Sequence, residues 1–285
     1  MRHPPAEIEL TAEAVDRLIV TQHPALRGPL TRVAHGWDND VYRLGDELAV
    51  RLPRRGVAAA LAEKEQRWLP LLAGILPVPV PVPVAIGRPS VDYPWNWSIV
   101  PWFPGNRGAD LAPVQLDAIA EQLADVLLAL HVPASEDAPV NPVRGVPLSD
   151  RDEIVRARLA SSPAFLREWS HAVAAAPWHG PPVWVHGDVH AGNIVLDDER
   201  IVALLDFGDL GSGDPACDLA AGWLMFTPTG RARFRRRMGG RYDDATWTRA
   251  RGWAAAMASL VLDAGDPGLH RMAMHAAGEL AHEPG

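Results

Sequence analysis

One stretch constrains this chain more than any other. Val183-Trp184-Val185 is an apolar run that reads as a strand. It leads into the polar loop His186-Gly187-Asp188-Val189-His190-Ala191-Gly192-Asn193, in which Asn193 follows Asp188 by five positions. Two more strand-like runs, Ile194 to Leu196 and Ile201 to Leu205, then deliver Asp206-Phe207-Gly208. Short apolar runs bounded by polar and glycine-rich segments are strands joined by turns. The pattern therefore sets three oxygen-bearing side chains, Asp188, Asn193 and Asp206, on adjacent loops.

Such a set suits phosphoryl transfer. That reaction needs a carboxylate to orient the attacking hydroxyl and accept its proton. It also needs oxygen ligands to hold Mg²⁺ against the phosphates, because Mg²⁺ prefers oxygen donors. The protein-kinase form of the set is His-Arg-Asp with Asn five residues after the Asp, then Asp-Phe-Gly.

His186 to Asn193, taken with Leu205-Asp206-Phe207-Gly208-Asp209, resembles the aminoglycoside phosphotransferase family and its relatives, the macrolide phosphotransferases and choline kinases. Val189 and Ala191 depart mildly from it, since the family more often has Leu and Pro there. The resemblance implies an α+β, bilobal protein-kinase-like fold. Its small antiparallel β lobe carries one helix and binds nucleotide; its larger, mainly helical lobe binds substrate. It implies Asp188 as catalytic base, Asn193 and Asp206 as ligands of Mg²⁺, and ATP or GTP as co-substrate. By similarity to kinases, Asp218 should hold the backbone of the catalytic loop. His186 and His190 are expected to be structural. Asp209 and Asp214 are either substrate-facing or caps.

The rest of the chain agrees with two lobes, placed at 1–103 and 104–285. Thr11 to Val20 reads as a capped amphipathic helix. Leu30 to Ala34, Asp40 to Leu44 and Glu47 to Leu52 read as strands, with a hairpin signal at Gly45-Asp46. Val57 to Leu72 has helical periodicity. Pro77 to Val84 alternates Pro and Val and is an extended connector, because proline cannot donate to a ladder. Asn96 to Trp102 is a strand that Phe103-Pro104-Gly105 breaks. Beyond it, Leu116 to His131 and Asp150 to Ala176 are helical, the second with a break near Ser161-Ser162-Pro163. Asp214-Pro215 opens a helix, and helices fill most of Asp244 to Ala281.

On the nucleotide side, Arg51 in Val50-Arg51-Leu52 stands where protein kinases place a lysine on the phosphates. Its guanidinium can grip phosphate in a fork, although the exchange is not neutral. Glu63 and Glu65 both qualify as its helix partner, and Glu65 is preferred. The loop Ala34 to Asp40, with Gly36 and Asn39, would cover the phosphates. It is not Gly-x-Gly-x-x-Gly, and no Walker P-loop occurs. The base would meet hinge backbone between Val100 and Phe103, with Trp102 as a stacking candidate.

Charge bears on the acceptor. The 285 residues carry a formal net charge of -8, which argues against general nucleic-acid binding. Residues 104–150 hold seven acidic and two basic side chains, and 197–218 hold seven and one. Acidic groups near the catalytic loop would suit a cationic acceptor such as an aminoglycoside, although most of these acids read as solvated helix faces. Asp152, Glu153 and Asp263 are weaker candidates. A macrolide would instead need an apolar pocket. A sugar or choline-like metabolite is a further alternative, and a non-catalytic nucleotide sensor rests only on Arg51. The six arginines between Arg231 and Arg241 read as a solvated helix face. The single cysteine, Cys217, excludes an intrachain disulfide and reads as a buried small hydrophobe. With no signal-peptide run and no apolar stretch of about 18 residues, a cytoplasmic monomer or dimer is expected.

Overall fold

Thr11 opens the first helix of the computed structural model, which describes residues 5–262 and 265–282. Its hydroxyl accepts from the Ala14 N–H at 3.3 Å, and α1 (Ala12–Gln22) buries Val15, Leu18 and Ile19 at helical spacing. Then β1 (Leu30–His35), β2 (Asn39–Leu44) and β3 (Leu48–Pro53) form a meander. In β2 buried and part-exposed residues alternate, the two-residue period of a sheet with one covered face. After α2 (Gly56–Leu72), β4 (Ala85–Gly87) and β5 (Trp97–Pro101) complete a five-stranded antiparallel sheet of order β1-β2-β3-β5-β4. Val15, Ile19, Tyr42, Val50 and Trp97 lie in its core. The Pro/Val connector forms no strand. It runs into β4, which the sequence reading did not anticipate, as the Val84 N–H donates to the Ile99 carbonyl at 2.8 Å.

The chain divides into two compact units. Among the described residues, one comprises 5–74 with 79–104; the other comprises 75–78, 105–262 and 265–282. The second unit runs β6 (Asn106–Arg107), α3 (Pro113–Leu116), α4 (Ala120–Leu130), α5 (Asp152–Leu159), α6 (Pro163–Ala174), β7 (Val183–Val185), β8 (Ile194–Asp197), β9 (Arg200–Leu204), β10 (Gly211–Gly213), α7 (Ala216–Leu219), α8 (Ala221–Met225), α9 (Pro228–Met238), α10 (Asp244–Val261) and α11 (Pro267–His282). Its strands are minor: β10 pairs with β7, and β6-β8-β9 form a second small sheet. Both sheets serve to hold the motif loops.

One expectation is corrected here, and a second is amended at one residue. Leu116 to His131 is not one helix, because a 3₁₀ turn at Asp117–Ile119 separates α3 from α4. Asp117 is turned inward, accepting from the Thr227 N–H at 3.0 Å and from the Thr227 hydroxyl. That cross-link tightens the local winding. The arginines of 231–241 form the expected solvated face at five of six positions, and Arg231 departs from it. Arg231 is buried against Glu279 at 2.8 Å, and Arg237 meets Asp125 at 2.6 Å. Arg235 lies over Trp247. Cys217 is fully buried, as expected.

Candidate active site

The catalytic loop is held by buried charge. Asp218, with no exposed surface, accepts from the His186 N–H and the Gly187 N–H, both at 2.8 Å. His131 Nε2 lies 3.1 Å from the same carboxylate, and His131 Nδ1 lies 2.7 Å from the Tyr242 hydroxyl. The bracing role expected of Asp218 is thus visible in its bonds. Burial raises the Asp218 carboxyl, but the His131 contact and the backbone donors outweigh it, leaving it below the ordinary value. His186 ties the two motif loops together. Its Nε2 sits 2.9 Å from the Leu205 carbonyl, and its Nδ1 accepts from the Asp188 N–H at 3.2 Å.

Gly187 has φ of +86°, and a Cβ there would lie 2.4 Å from the Asp209 carbonyl oxygen. Only glycine fits this position without moving backbone. The turn it permits directs the chain into Asp188, whose side chain keeps 29% of its surface exposed. His190 Nε2 is 3.2 Å from one carboxylate oxygen and Arg144 Nη2 is 3.6 Å from the other. Burial pushes the Asp188 carboxyl up, yet the charges of His190 and Arg144 prevail and hold it well below the usual range. The pairing likewise raises His190 against the effect of its own burial. Asp188 is therefore an ionised carboxylate at neutral pH. Asn193, at the end of a 3₁₀ turn, donates from Nδ2 to the Asp188 carbonyl at 2.9 Å. Asp206 is exposed and left-handed, with φ of 60°, and accepts from the Gly208 N–H at 3.4 Å. A non-glycine residue in that region costs about 1 kcal/mol or more and gathers at functional sites.

In the other unit, Arg51 on β3 meets Glu65 on α2, Nη1 to Oε1, at 3.0 Å. Their side chains are only 14% and 9% exposed. Glu63 is exposed and accepts from Asn96 instead. The β1–β2 turn is tied to the end of β3: Gly36 N–H donates to the Asn39 carbonyl at 2.9 Å, and Arg54 donates to the Gly36 carbonyl at 2.7 Å. Val100 is buried on β5 and pairs with Ala49. The Trp102 N–H donates to the Glu47 carbonyl at 2.7 Å, and the Arg43 guanidinium lies 5.2 Å over its ring. Bonding groups alternate sides along an antiparallel strand. The free edge of this stretch therefore belongs to the Pro101 carbonyl and the Phe103 N–H rather than to Trp102.

Residues 29–253 match the model of the phosphotransferase enzyme family. This chain belongs to that family. No curated protein sequence matches it, but solved structures share its fold. The GDP complex of an aminoglycoside 2'-phosphotransferase-IIIa aligns with a TM-score of 0.72 at 16% identity, over 95% of this chain and 99% of that one. A kanamycin and GDP complex of APH(2")-IIia aligns at 0.70 and 18%, over 86% and 89%. The macrolide 2'-phosphotransferase MphH from Brachybacterium faecium aligns at 0.65 and 23%, over 96% and 99%. The bilobal α+β class expected from the motif is the observed one.

In this member of the phosphotransferase enzyme family, Asn193 and Asp206 present an amide oxygen and a carboxylate. Mg²⁺ takes oxygen ligands, and it is commonly held by one or two protein groups together with substrate phosphates and water. The donor set fits that ion. No group of three or more His, Cys, Asp or Glu among the described residues could hold a metal by itself.

Arg144 and Asn141 were not foreseen. Arg144 Nε donates to the Gly187 carbonyl at 2.7 Å, and its Nη2 lies 3.6 Å from both Asp188 and Asp209. Asn141 donates to the Asp209 carbonyl at 2.8 Å. Both come from a loop some 45 positions before the motif, and no spacing in the sequence links them to it. Most of the acids of 104–150 and 197–218 are exposed, but several near the motif are paired. Asp209 meets Arg144, Asp214 meets Arg249 at 2.6 Å, and Asp152 meets Arg156 at 2.6 Å. Glu153 is exposed, and Asp263 lies outside the described residues.

Proposed function

We propose that this protein transfers the γ-phosphoryl group of ATP or GTP to a hydroxyl of a small molecule. The observation that carries the reading is Asp188: an ionised, part-exposed carboxylate on a loop fixed by Asp218, His186 and Arg144. Asp188 would orient the acceptor hydroxyl and take its proton. The oxygen–phosphorus bond to the acceptor forms as that to the nucleoside diphosphate breaks. Arg144 and His190 stabilise the charged form of Asp188 and hold its side chain in place. Asn193 and Asp206 would hold Mg²⁺, which when bound offsets phosphate charge. Arg51, fixed by Glu65, would grip the phosphates, with Gly36 and Asn39 shaping the loop over them. The base would pair along the backbone between Val100 and Phe103.

Kinship with aminoglycoside and macrolide phosphotransferases favours an antibiotic acceptor and a resistance role; a metabolite alcohol is the alternative. The test is mass-spectrometric detection of a phosphorylated acceptor with Mg·ATP and Mg·GTP. Asp188→Ala should lower the rate roughly 10³-fold. A variant as active as the parent would remove Asp188 from the mechanism.

A further inference from the structure

Arg144, the partner of Asp188, lines a cavity of about 150 Å³. It is lined by Arg144, Arg151 and Arg158 and by an apolar wall that includes Val155, Trp253 and Met257; no acidic side chain lines it. Arg144 reaches from this cavity to within 3.6 Å of the Asp188 carboxylate. The three cations come from separate segments: Arg144 from the loop before the motif, Arg151 from the turn before α5, and Arg158 from α5 itself.

Their charges are unevenly matched. Arg144 faces Asp188 and Asp209. Arg158 donates to the Ser259 hydroxyl at 2.9 Å and to the Ala256 carbonyl at 3.1 Å, which ties α5 to α10. Those bonds satisfy donors, but neither partner carries charge. Among the described residues, neither Arg158 nor Arg151 forms an ion pair with a carboxylate. Burial lowers the Arg158 guanidinium below its ordinary value, and the charges of Arg144 and Arg151 lower it further. Like charges gathered in a part-buried recess are unfavourable unless an anion joins them.

Resting on the phosphotransferase reading above, we infer that this cavity receives an oxyanion of the acceptor, a carboxylate or a phosphate monoester, while the hydroxyl to be phosphorylated lies at Asp188. Guanidinium forks match the planar carboxylate and the phosphate alike. The apolar wall takes a short carbon skeleton. This selects the metabolite-alcohol alternative over an antibiotic: the acceptor is then a small hydroxylated anion, held through Arg151 and Arg158, whose charges no carboxylate among the described residues matches.

The experiment uses the full-length protein with Mg²⁺ and a non-hydrolysable ATP analogue. Glycerate, glucose 6-phosphate, glucose and kanamycin are titrated calorimetrically, and each is then offered as acceptor with Mg·ATP and Mg·GTP. At least one of the two anions should bind at least about tenfold more tightly than glucose or kanamycin and be phosphorylated; which one binds separates carboxylate from phosphate. Arg151→Gln should weaken that anion about tenfold, the loss of one charge-assisted contact. Arg151→Lys should restore most of it, with nucleotide affinity and melting temperature unchanged in both. Kanamycin preferred over both anions, no binding of either anion, or Arg151→Gln with unaltered anion affinity each overturns the inference. Slow hydrolysis of nucleotide without acceptor, lost in Asp188→Ala, reports separately on the phosphotransferase reading. Hydrolysis with the anions unbound removes the inference alone; no hydrolysis and no transfer to any acceptor removes both.

Discussion

Asp218 carries a negative charge with no exposed surface, and this is tolerable only because His131 and two backbone N–H groups surround it. Removing one partner of a buried network leaves the others uncompensated. Asp218→Ala is expected to cost about 3 kcal/mol in urea unfolding at neutral pH. The sign of its pH dependence follows from its lowered folded pKa. Such a group adds stability above the unfolded carboxylate value near 3.9 and loses it as pH falls through the folded pKa. The gap between wild type and Asp218→Asn should therefore narrow at pH about 3 relative to pH 7. A gap independent of pH would mean that the charge contributes nothing.

At the scale of elements, the β3–α2 pair of Arg51 and Glu65 joins strand to helix by one ion pair of low exposure. Of the 27 basic residues only Lys64 is a lysine, so arginine at position 51 follows the usage of the whole chain. Arg51→Ala is expected to weaken nucleotide binding by about tenfold or more, as loss of a charge-assisted phosphate contact does. Arg51→Lys should keep part of the affinity. Equilibrium titration with ATP and GTP decides it; wild-type affinity in Arg51→Ala would place the phosphates elsewhere. The α6–α10 crossing makes a different demand. A Cβ on Gly252 would lie 2.2 Å from the Ala172 Cβ, and Trp169 and Trp253 pack edge to face beside it. Helix propensity favours alanine by about 1 kcal/mol, but overpacking costs about 1–3 kcal/mol. The clash should win, so Gly252→Ala lowers the unfolding midpoint. A stabilised variant would show that the two helices can separate freely.

For the molecule as a whole, the groups proposed for transfer are divided between the units: Arg51 and Glu65 in one, Asp188, Asn193 and Asp206 in the other. Bound nucleotide stabilises by mass action, about 2.7 kcal/mol at a hundredfold excess over Kd. Mg·ATP or Mg·GTP should therefore raise the melting temperature, read from the intrinsic fluorescence of the 11 tryptophans. Chelation of Mg²⁺ should abolish transfer, and restoring the ion should recover it. Transfer that persists in excess chelator would remove Asn193 and Asp206 as metal ligands. No helix among the described residues is long and apolar enough to cross a membrane.

Much of this was legible in the chain, and the reason is local. The strands around the motif are short apolar runs whose turns are written in Gly, Asp and Asn, so the order from Val183 to Gly208 could be read without tertiary contacts. The meander of β1 to β3 and the span of α2 follow from periodicity in the same way, and spacing alone left only Glu63 or Glu65 to meet Arg51. The short strands β4, β6 and β10 could not be read, because two or three residues carry no periodicity and are strands only through their partners. The break at Asp117 depends on Thr227, and the bracing of Asp188 depends on Arg144; both links join positions far apart in the chain. The acceptor side was beyond the sequence for the same reason. Composition counts acids, but the fold leaves most of them exposed and gathers Arg151 and Arg158 with Arg144 in one cavity. Net charge is a property of the chain, whereas the field at a site is set by which charges the fold leaves uncompensated.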